Sequence, residues 1–412
     1  MGSSLPIIGW GLAAGEGRRL APLTLTAEGH YRSKAMVSFL GRPILAWQLD
    51  AFAAAGLRRC YLVTRGEFNR EPVRAYFGYR YRHVDLAYSE SIWDRCDTGS
   101  ADATLRHAAR LRVDQPLLVF PTDSLFSVDL GALYRFHLTR QAEVTIATML
   151  LPAEAIDGRY GVVFADLEGR VEGFWEKPSA AELSLRGGSP IPGGWLTNIG
   201  LYLIDPDLLL RLDRDREIRA MRRRRLDFGL DLIPWLVEHG HRVFAYGGAS
   251  AGDLGNLQAF LKTMEAVLTG EFPLARPRPP HGWAHLAPRI HPTAIIRNSW
   301  VAPDAVIGPY ACVESSYLGE GMVVGSHAQL RRVHAGADSF IGAAARIKDT
   351  VLGTAVRVHS RRPQPTVIDG WSGLGDAAEV GAGIHLSGTV VLPGEVVEGE
   401  RPSAPSKVSV GA

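Results

Sequence analysis

Past residue 290, aliphatic side chains return at every sixth position. They are Ile295, Val301, Ile307 and Val313, then Leu318, Val324 and Leu330, then Ile341 and Ile347, then Leu352 and Val358. Glycine, alanine, aspartate and proline fill the intervals. This period marks a β-helix of hexapeptide repeats. Each coil has three short flat faces, and one aliphatic side chain per repeat points inward and stacks on the next coil. The phase slips at 313 to 318, 330 to 341 and 347 to 352 predict inserted or shortened loops. An open coil end favours oligomer contacts or a cap.

The residues before this stretch have a different texture. Up to about residue 268, strand-like and helix-like segments alternate. "PILAWQLDAFAAAGL" sets Leu45, Leu49, Phe52 and Ala53 on one helical face with Gly56 behind it. "RRCYLVTR", "VDLAYS" and "PLLVFPTD" read as short apolar strands, and "SADATLRHAARL" as a helix. Strands separated by helices of this length imply a parallel sheet covered on both faces. A hairpin about "DLEGR", the strands "LTNIGLYLID" and "RVFAYGG", and a helix from "DLGNLQAF" complete the pattern. "RDREIRAMRRRRLD", 214 to 227, reads as a solvated helix face. The expected organisation is an α/β domain over 1–270, a proline-rich linker over 271–289, a β-helix over 290–400 and a tail over 401–412.

With 412 residues, two domains are expected. At 46% hydrophobic and 21% charged residues, the composition is that of a globular protein. A net charge of +2 argues against nucleic acid or a membrane surface as partner. Three scattered cysteines, Cys60, Cys96 and Cys312, argue against a disulfide framework. No apolar run reaches membrane-spanning length, and "MGSSLP" has no signal-peptide pattern. The expectation is a cytoplasmic protein.

The chemistry is concentrated first in "GLAAGEGRRLAPLT", residues 11 to 24. A strand ending in so glycine-rich a turn exposes backbone N–H groups, and donors beside guanidinium groups suit a phosphate chain. The plain alternative is an ordinary strand-to-helix turn. Asp123 ends the strand "PLLVFPTD", at the carboxyl edge where open α/β sheets bind ligands.

Together these segments resemble the nucleotidyltransferases that activate sugar 1-phosphates, in their long form with a left-handed β-helix behind the catalytic domain. Gly15, Gly17, Arg19, Leu20, Pro22, Leu23 and Thr24 match the family signature G-x-G-T-R-L-x-P-L-T, with Arg18 in place of its threonine. The resemblance implies an α/β fold, a Rossmann-like catalytic domain with a mixed, mostly parallel sheet. In it, Leu12, Ala13, Ala14, Gly15, Gly17 and Arg19 wrap a nucleoside triphosphate, and Lys34 of "RSKAMV" joins Arg19 on its phosphates. It implies backbone contacts to the nucleotide from Gly99 and Ser100 of "DTGSADATLRHA", where Asp102 replaces a small residue. Asp123 and Asp253 correspond to the family's metal aspartates, which implies Mg²⁺. Thr122 stands in place of the usual glycine, and Asp253 lacks the usual tryptophan and T-P around it. Asp253 also fits an N-cap for the last helix. "FWEKPS" carries a sugar-binding glutamate and a phosphate-binding lysine at Glu176 and Lys177, and Asn198 and Gly200 match the N-x-G segment that contacts sugar hydroxyls. Gly161 is placed with them on the acceptor side.

The implied reaction joins a nucleoside triphosphate to a sugar, or sugar-like cyclitol, 1-phosphate and releases pyrophosphate. Arg19, Lys34 and Lys177 are its catalytic cations. Two alternatives stay open. The β-helix could add an acetyl-CoA-dependent transferase using His327, His334, His359 or His385 as base. The chain could also be a non-catalytic regulatory paralogue. A homo-oligomer is expected.

Overall fold

The computed structural model describes residues 4–90, 97–185, 191–274 and 287–399. The tail, most of the proline-rich linker and Cys96 lie outside the described residues. The chain forms two compact units, Met1–Gly15 with Leu45–Ala251, and Glu16–Ile44 with Gly252–Ala412.

The first unit is a mixed sheet with helices around it. Its longer strands are β1 (Ile8–Leu12), β2 (Arg59–Val63), β3 (Val84–Tyr88), β4 (Leu117–Pro121), β5 (Val144–Leu151), β6 (Val162–Ala165), β7 (Val171–Trp175), β8 (Trp195–Ile204) and β9 (Val243–Tyr246), and the short strand Arg80–Tyr81 pairs with β3 at the edge. The main order is β7-β6-β8-β4-β1-β2-β3, with β5 pairing both β8 and β9. β1 runs parallel to β2 and β4, and β2 runs parallel to β3. β8 is antiparallel to β4, so its first residues lie toward the carboxyl end of β4. The core is aliphatic and aromatic: Leu117, Val119, Ile146 and Leu208 are buried, and Trp10 stacks on Tyr61 at 4.6 Å.

Two helices depart from the sequence reading. Helix α1 (Ile44–Ala54) is buried nearly all round rather than along one stripe, with Leu45, Ala46, Trp47 and Leu49 all inside. Helix α2 (Gly66–Phe77) was not foreseen, because it is strongly polar and carries Pro72. The arginine run is also more than a solvated face. Arg222 reaches the buried Asp102 carboxylate of α3 (Ser100–Leu111), which Arg106 also binds at 2.9 Å, and its other arm meets Asp213 at 2.7 Å. Asp102 therefore has a partner in this fold that a small residue would not supply.

In the second unit the strands form stacked parallel ladders, a parallel β-helix. Cys312 pairs with Ile295 behind it and Gln329 ahead, and Gln329 pairs with Arg346. Serine hydroxyls reinforce the stacking across 17-residue intervals. Ser316 N–H donates to Ser299 Oγ at 3.0 Å, Val333 N–H to Ser316 Oγ at 3.0 Å, and Val356 N–H to Ser339 Oγ at 3.1 Å. The five-residue phase slips are thus one shortened face per coil, repeated, rather than scattered irregularities. A real insertion follows Val358, where Arg361 and Gln364 bridge a loop before Val367 pairs with Arg346. Inward aliphatic residues such as Ile307, Leu330, Ile347 and Val380 make the core. The last helix, α4 (Leu257–Thr269), belongs to the same unit.

Candidate active site

In the first unit, the predicted residues gather at one edge of the sheet. β1 and β4 lie in register, Leu12 beside Pro121, so the residues after each strand leave from the same end. Ala13 N–H continues the ladder to Val63 O at 2.8 Å. Asp123 follows two residues beyond β4, half-buried in a turn. The threonine before it explains its own departure from glycine: buried Thr122 donates from Oγ1 to Leu12 O at 3.1 Å and ties the two strand ends.

Gly161, Glu176 and Asn198 are neighbours because β6 pairs with both β7 and β8. Val162 lies opposite Trp175 and Thr197, and Asn198 N–H donates to Gly161 O at 2.8 Å. The Glu176 side chain is 18% exposed and rests in a slot between two glycines. A Cβ at Gly161 would lie 2.8 Å from its Oε2, and one at Gly229 would lie 2.6 Å from the same atom. Lys177 has a positive φ of 50° and points its Nζ back to Glu176 Oε1 at 3.4 Å while staying 56% exposed.

Asn198 is held by a register break in β8 between it and Tyr202. Gly200, at φ 78°, donates its N–H to Asn198 Oδ1 at 2.8 Å, and Asn198 Nδ2 donates to the Tyr202 hydroxyl at 2.7 Å. Such a bulge re-aims a side chain at the rim of a sheet. Tyr202 stacks on Phe228 at 4.9 Å, and burial pushes its hydroxyl well above the ordinary tyrosine range.

The start of α3 is closed from inside. Gly99 N–H donates to Asp97 Oδ1 and Ser100 N–H to Asp227 Oδ1, both at 3.1 Å, while Ala101 and Asp102 donate to Leu226 O. Burial works to raise the Asp227 carboxyl, but the hydrogen bonds from Arg225 and Ser100 outweigh it and hold the group below its ordinary value. Gly99, at φ 94°, has Leu226 O only 2.3 Å from where a Cβ would stand. Tyr202, Asp227, Phe228 and Gly229 escaped the sequence reading. For the last three the available signal was "LDFGLD", an aromatic-glycine pair between aspartates directly after the arginine run.

In the second unit, Gly17 and Lys34 are brought together. Gly17 has φ 68° and precedes the short helix Arg18–Leu20; Thr24 Oγ1 donates to its carbonyl at 3.0 Å. A Cβ there would fall 2.5 Å from Lys34 Cγ, so the lysine stem lies on the glycine. Lys34 itself opens a second short helix, Lys34–Met36, capped by Ser33 Oγ. Arg18 pairs with Glu16 at 3.0 Å and lies over Tyr31, on the surface. Arg19 is exposed, and its Nη2 lies 3.7 Å from where a Cβ of Gly255 would be. Gly255 N–H in turn donates to Asp253 Oδ1 at 2.7 Å. Asp253 is not the N-cap of α4. That role belongs to Asn256, whose Oδ1 accepts from Ala259 N–H at 2.9 Å.

The first unit thus carries polar side chains at the carboxyl edge of its sheet, and the second carries a glycine turn folded on a lysine. The sequence profile of the Nucleotidyl transferase family matches residues 6–270, and the chain belongs to that family. Among curated relatives, it is 31% identical over 255 residues to "Glucose-1-phosphate adenylyltransferase 1" of Vibrio vulnificus (strain YJ016), covering 58% of each chain. It is 29% identical over 267 residues to "Glucose-1-phosphate adenylyltransferase" of Thermus thermophilus, again over 58% of each. The protein of that name from Alteromonas mediterranea is 29% identical over 278 residues, 62% of this chain and 61% of the relative. The aligned region thus spans well under two thirds of each relative's length. Among the described residues, no helix is long and apolar enough to cross a membrane.

Proposed function

We propose that the chain transfers a nucleotidyl group from a nucleoside triphosphate to a sugar 1-phosphate, giving a nucleoside diphosphate sugar and pyrophosphate. ATP and glucose 1-phosphate are the first pair to test, because the relatives' names specify them. The observation that carries this reading is the convergence of Glu176, Lys177, Asn198 and Asp123 at one sheet edge within a chain of this family.

An oxygen of the sugar phosphate attacks the α-phosphorus, and the bond to the bridging oxygen of the leaving pyrophosphate breaks. Two anions repel on approach, so charge neutralisation and in-line placement carry the catalysis. Arg19 and Lys34 neutralise the triphosphate, with Leu12, Ala13, Ala14, Gly15 and Gly17 lining it. Lys177 holds the acceptor phosphate, and Glu176 and Asn198 orient the sugar hydroxyls, with Gly161 beside them. Gly99 and Ser100 border the nucleotide by close approach, since their N–H groups are engaged inside the chain. Asp123 and Asp253 would be the carboxylates that hold Mg²⁺, an ion commonly bound by one or two carboxylates together with substrate phosphates. When bound, the ion would draw charge from the α-phosphate.

Of the solenoid histidines, His334 does not favour acetyl transfer, because it is buried with its Nε2 accepting from Leu40 N–H. The same reading has the enzyme working in the cytoplasm as a homo-oligomer, with no nucleic-acid or membrane partner.

The test is pyrophosphate release with Mg²⁺ across a grid of five nucleoside triphosphates and a panel of sugar 1-phosphates. Lys34→Ala and Asp123→Asn should each lower turnover by about a hundredfold or more while the fold persists. Turnover near that of the parent chain in either variant would sink the assignment.

A further inference from the structure

We infer that His334 and Asp376, two side chains of the parallel β-helix, are positioning residues for the segment that carries Lys34. The inference rests on the proposed role of Lys34 in binding the triphosphate.

Lys34 is bracketed by two tethers from the coil. Two residues before it, Arg32 Nη2 donates to Asp376 Oδ2 at 2.7 Å and to Leu25 O at 3.0 Å. Asp376 is fixed in turn, its Oδ1 accepting from Thr354 N–H at 3.0 Å and Thr354 Oγ1 at 2.9 Å. Six residues after Lys34, Leu40 N–H donates to His334 Nε2 at 3.3 Å. Leu40 and Gly41 are the two central residues of a tight hairpin between Ser38–Phe39 and Arg42–Pro43, at φ 49° and 80°. A primed turn of this kind is unfavourable for leucine, so it needs support from outside the hairpin. His334 supplies that support, and Val37 N–H bonds back to Lys34 O at 3.0 Å, joining hairpin and lysine in a short span.

The coil itself does not require a histidine at this place. Along the ladder, the position of His334 is held by Tyr317 in the coil before, Val351 in the next and Gly373 in the one after. Tyr317, His334 and Gly373 each have a residue from outside the coil against them. A Cβ at Gly41 would stand 2.3 Å from the Tyr317 hydroxyl, and one at Gly373 would stand 2.6 Å from Pro22 Cδ. His334 is stacked on Tyr317 at 4.9 Å and meets Phe260 edge-on at 5.0 Å. At these three positions the row is therefore fitted to residues 22–41 and to α4.

The chemistry of His334 agrees. With Nε2 accepting, the neutral ring carries its proton on Nδ1, which is buried without a hydrogen-bond partner. A residue that leaves a donor unpaired is kept where its acceptor is needed, since an apolar side chain would avoid that cost. Burial pushes its pKa down to about 3, so the ring stays neutral and its acceptor stays available. The Arg32–Asp376 pair is more than a third exposed and is the weaker tether.

The experiment uses the full chain with His334→Ala, His334→Gln and Asp376→Ala. The glutamine places an acceptor near the position of Nε2; alanine does not. Michaelis constants are measured for ATP and glucose 1-phosphate, or for whichever pair the grid identifies. Amide hydrogen exchange of residues 33–41 is followed in parallel, with no substrate present. In His334→Ala, KM for the nucleotide should rise about fivefold or more, with KM for the sugar phosphate within about twofold of the parent. Exchange over 33–41 should accelerate, and His334→Gln should recover most of both effects. Asp376→Ala should move the same readouts by less. Unchanged exchange in a folded His334→Ala chain would overturn the inference whatever the activity. So would an equal rise in both Michaelis constants, or a glutamine variant no better than alanine. If the parent chain turns over no substrate pair, the proposed function fails, while exchange still reports whether His334 holds the segment.

Discussion

Asn198 in the sheet and Ser316 in the coil each accept a backbone N–H on a side-chain oxygen, yet the two bonds belong to different kinds of structure. Asn198 takes Gly200 N–H inside a register break, and its amide goes on to the Tyr202 hydroxyl. Ser316 takes Val333 N–H one coil ahead, as Ser299, Ser339 and Ser372 take theirs. One bond occurs once and aims a side chain at a sheet edge. The other repeats and adds stability coil by coil. Under the proposed function, departure from regularity marks the acceptor side, and the Tyr317–His334–Gly373 row is the place where the regular coil itself becomes irregular.

One core substitution separates the two kinds directly. Ile347→Ala empties a fully packed coil position and should cost about 3 kcal/mol of stability, read from urea unfolding. KM for the sugar phosphate should not change. If that Michaelis constant shifts as much as stability falls, the division between coil and sheet edge is wrong.

Acid should affect both units by similar amounts, because each holds a histidine that burial keeps neutral. Burial lowers His137 in the sheet unit to about 4 and His334 in the coil to about 3. Asp205 pulls against the shift at His137, whose Nδ1 meets Thr145 Oγ1 at 2.8 Å. The unfolded chain takes up these protons below about pH 6.5 and the folded chain does not, so stability falls as pH falls from there. The loss is about 1.4 kcal/mol per pH unit for each histidine, ending near pH 4 for His137 and near pH 3 for His334. Urea midpoints at about pH 7 and pH 5 check it, and His137→Gln should remove its share of the slope. A slope unchanged by that substitution would show that His137 is protonated in the folded chain.

Gly229→Ala is the converse of the coil cavity. Its Cβ would stand 2.6 Å from Glu176 Oε2, so the carboxylate must leave its slot. kcat/KM for the sugar phosphate should fall about tenfold or more, roughly 1.4 kcal/mol, with little change in the urea midpoint. An unaffected kcat/KM would remove Glu176 from the acceptor side.

The sequence was informative in proportion to repetition and to side-chain chemistry. The aliphatic period disclosed the coil, since each inward position answers to the same packing demand in every turn. It did not disclose that one face is a residue short, because five-residue steps look like interruptions until the ladder pairs Ile295, Cys312, Gln329 and Arg346. Glu176, Lys177 and Asn198 were legible as chemistry-bearing residues in short motifs. The glycine slot about Glu176 was not, because Gly161 and Gly229 are far apart in the chain and meet through strand pairing and a distant helix. Helix α2 was hidden by its polarity and Pro72. Arg222 looked solvated among arginines, although its partner Asp102 lies 120 residues away.

The smallest predicted effect is the most direct probe of repetition. Ser316→Ala removes the acceptor for Val333 N–H in a fully buried place. That loss should cost about 1 kcal/mol. Ser339→Ala, at a different position of the coil, removes the acceptor for Val356 N–H and should cost about the same. Because the two serines are in different coils and share no partner, the double variant should lose close to the sum. A double variant that loses much less would mean that the coil relaxes as one body when a single rung goes. Its stability would then be a property of the whole stack, and the contrast with the once-only bond at Asn198 would lie in cooperativity rather than in repetition.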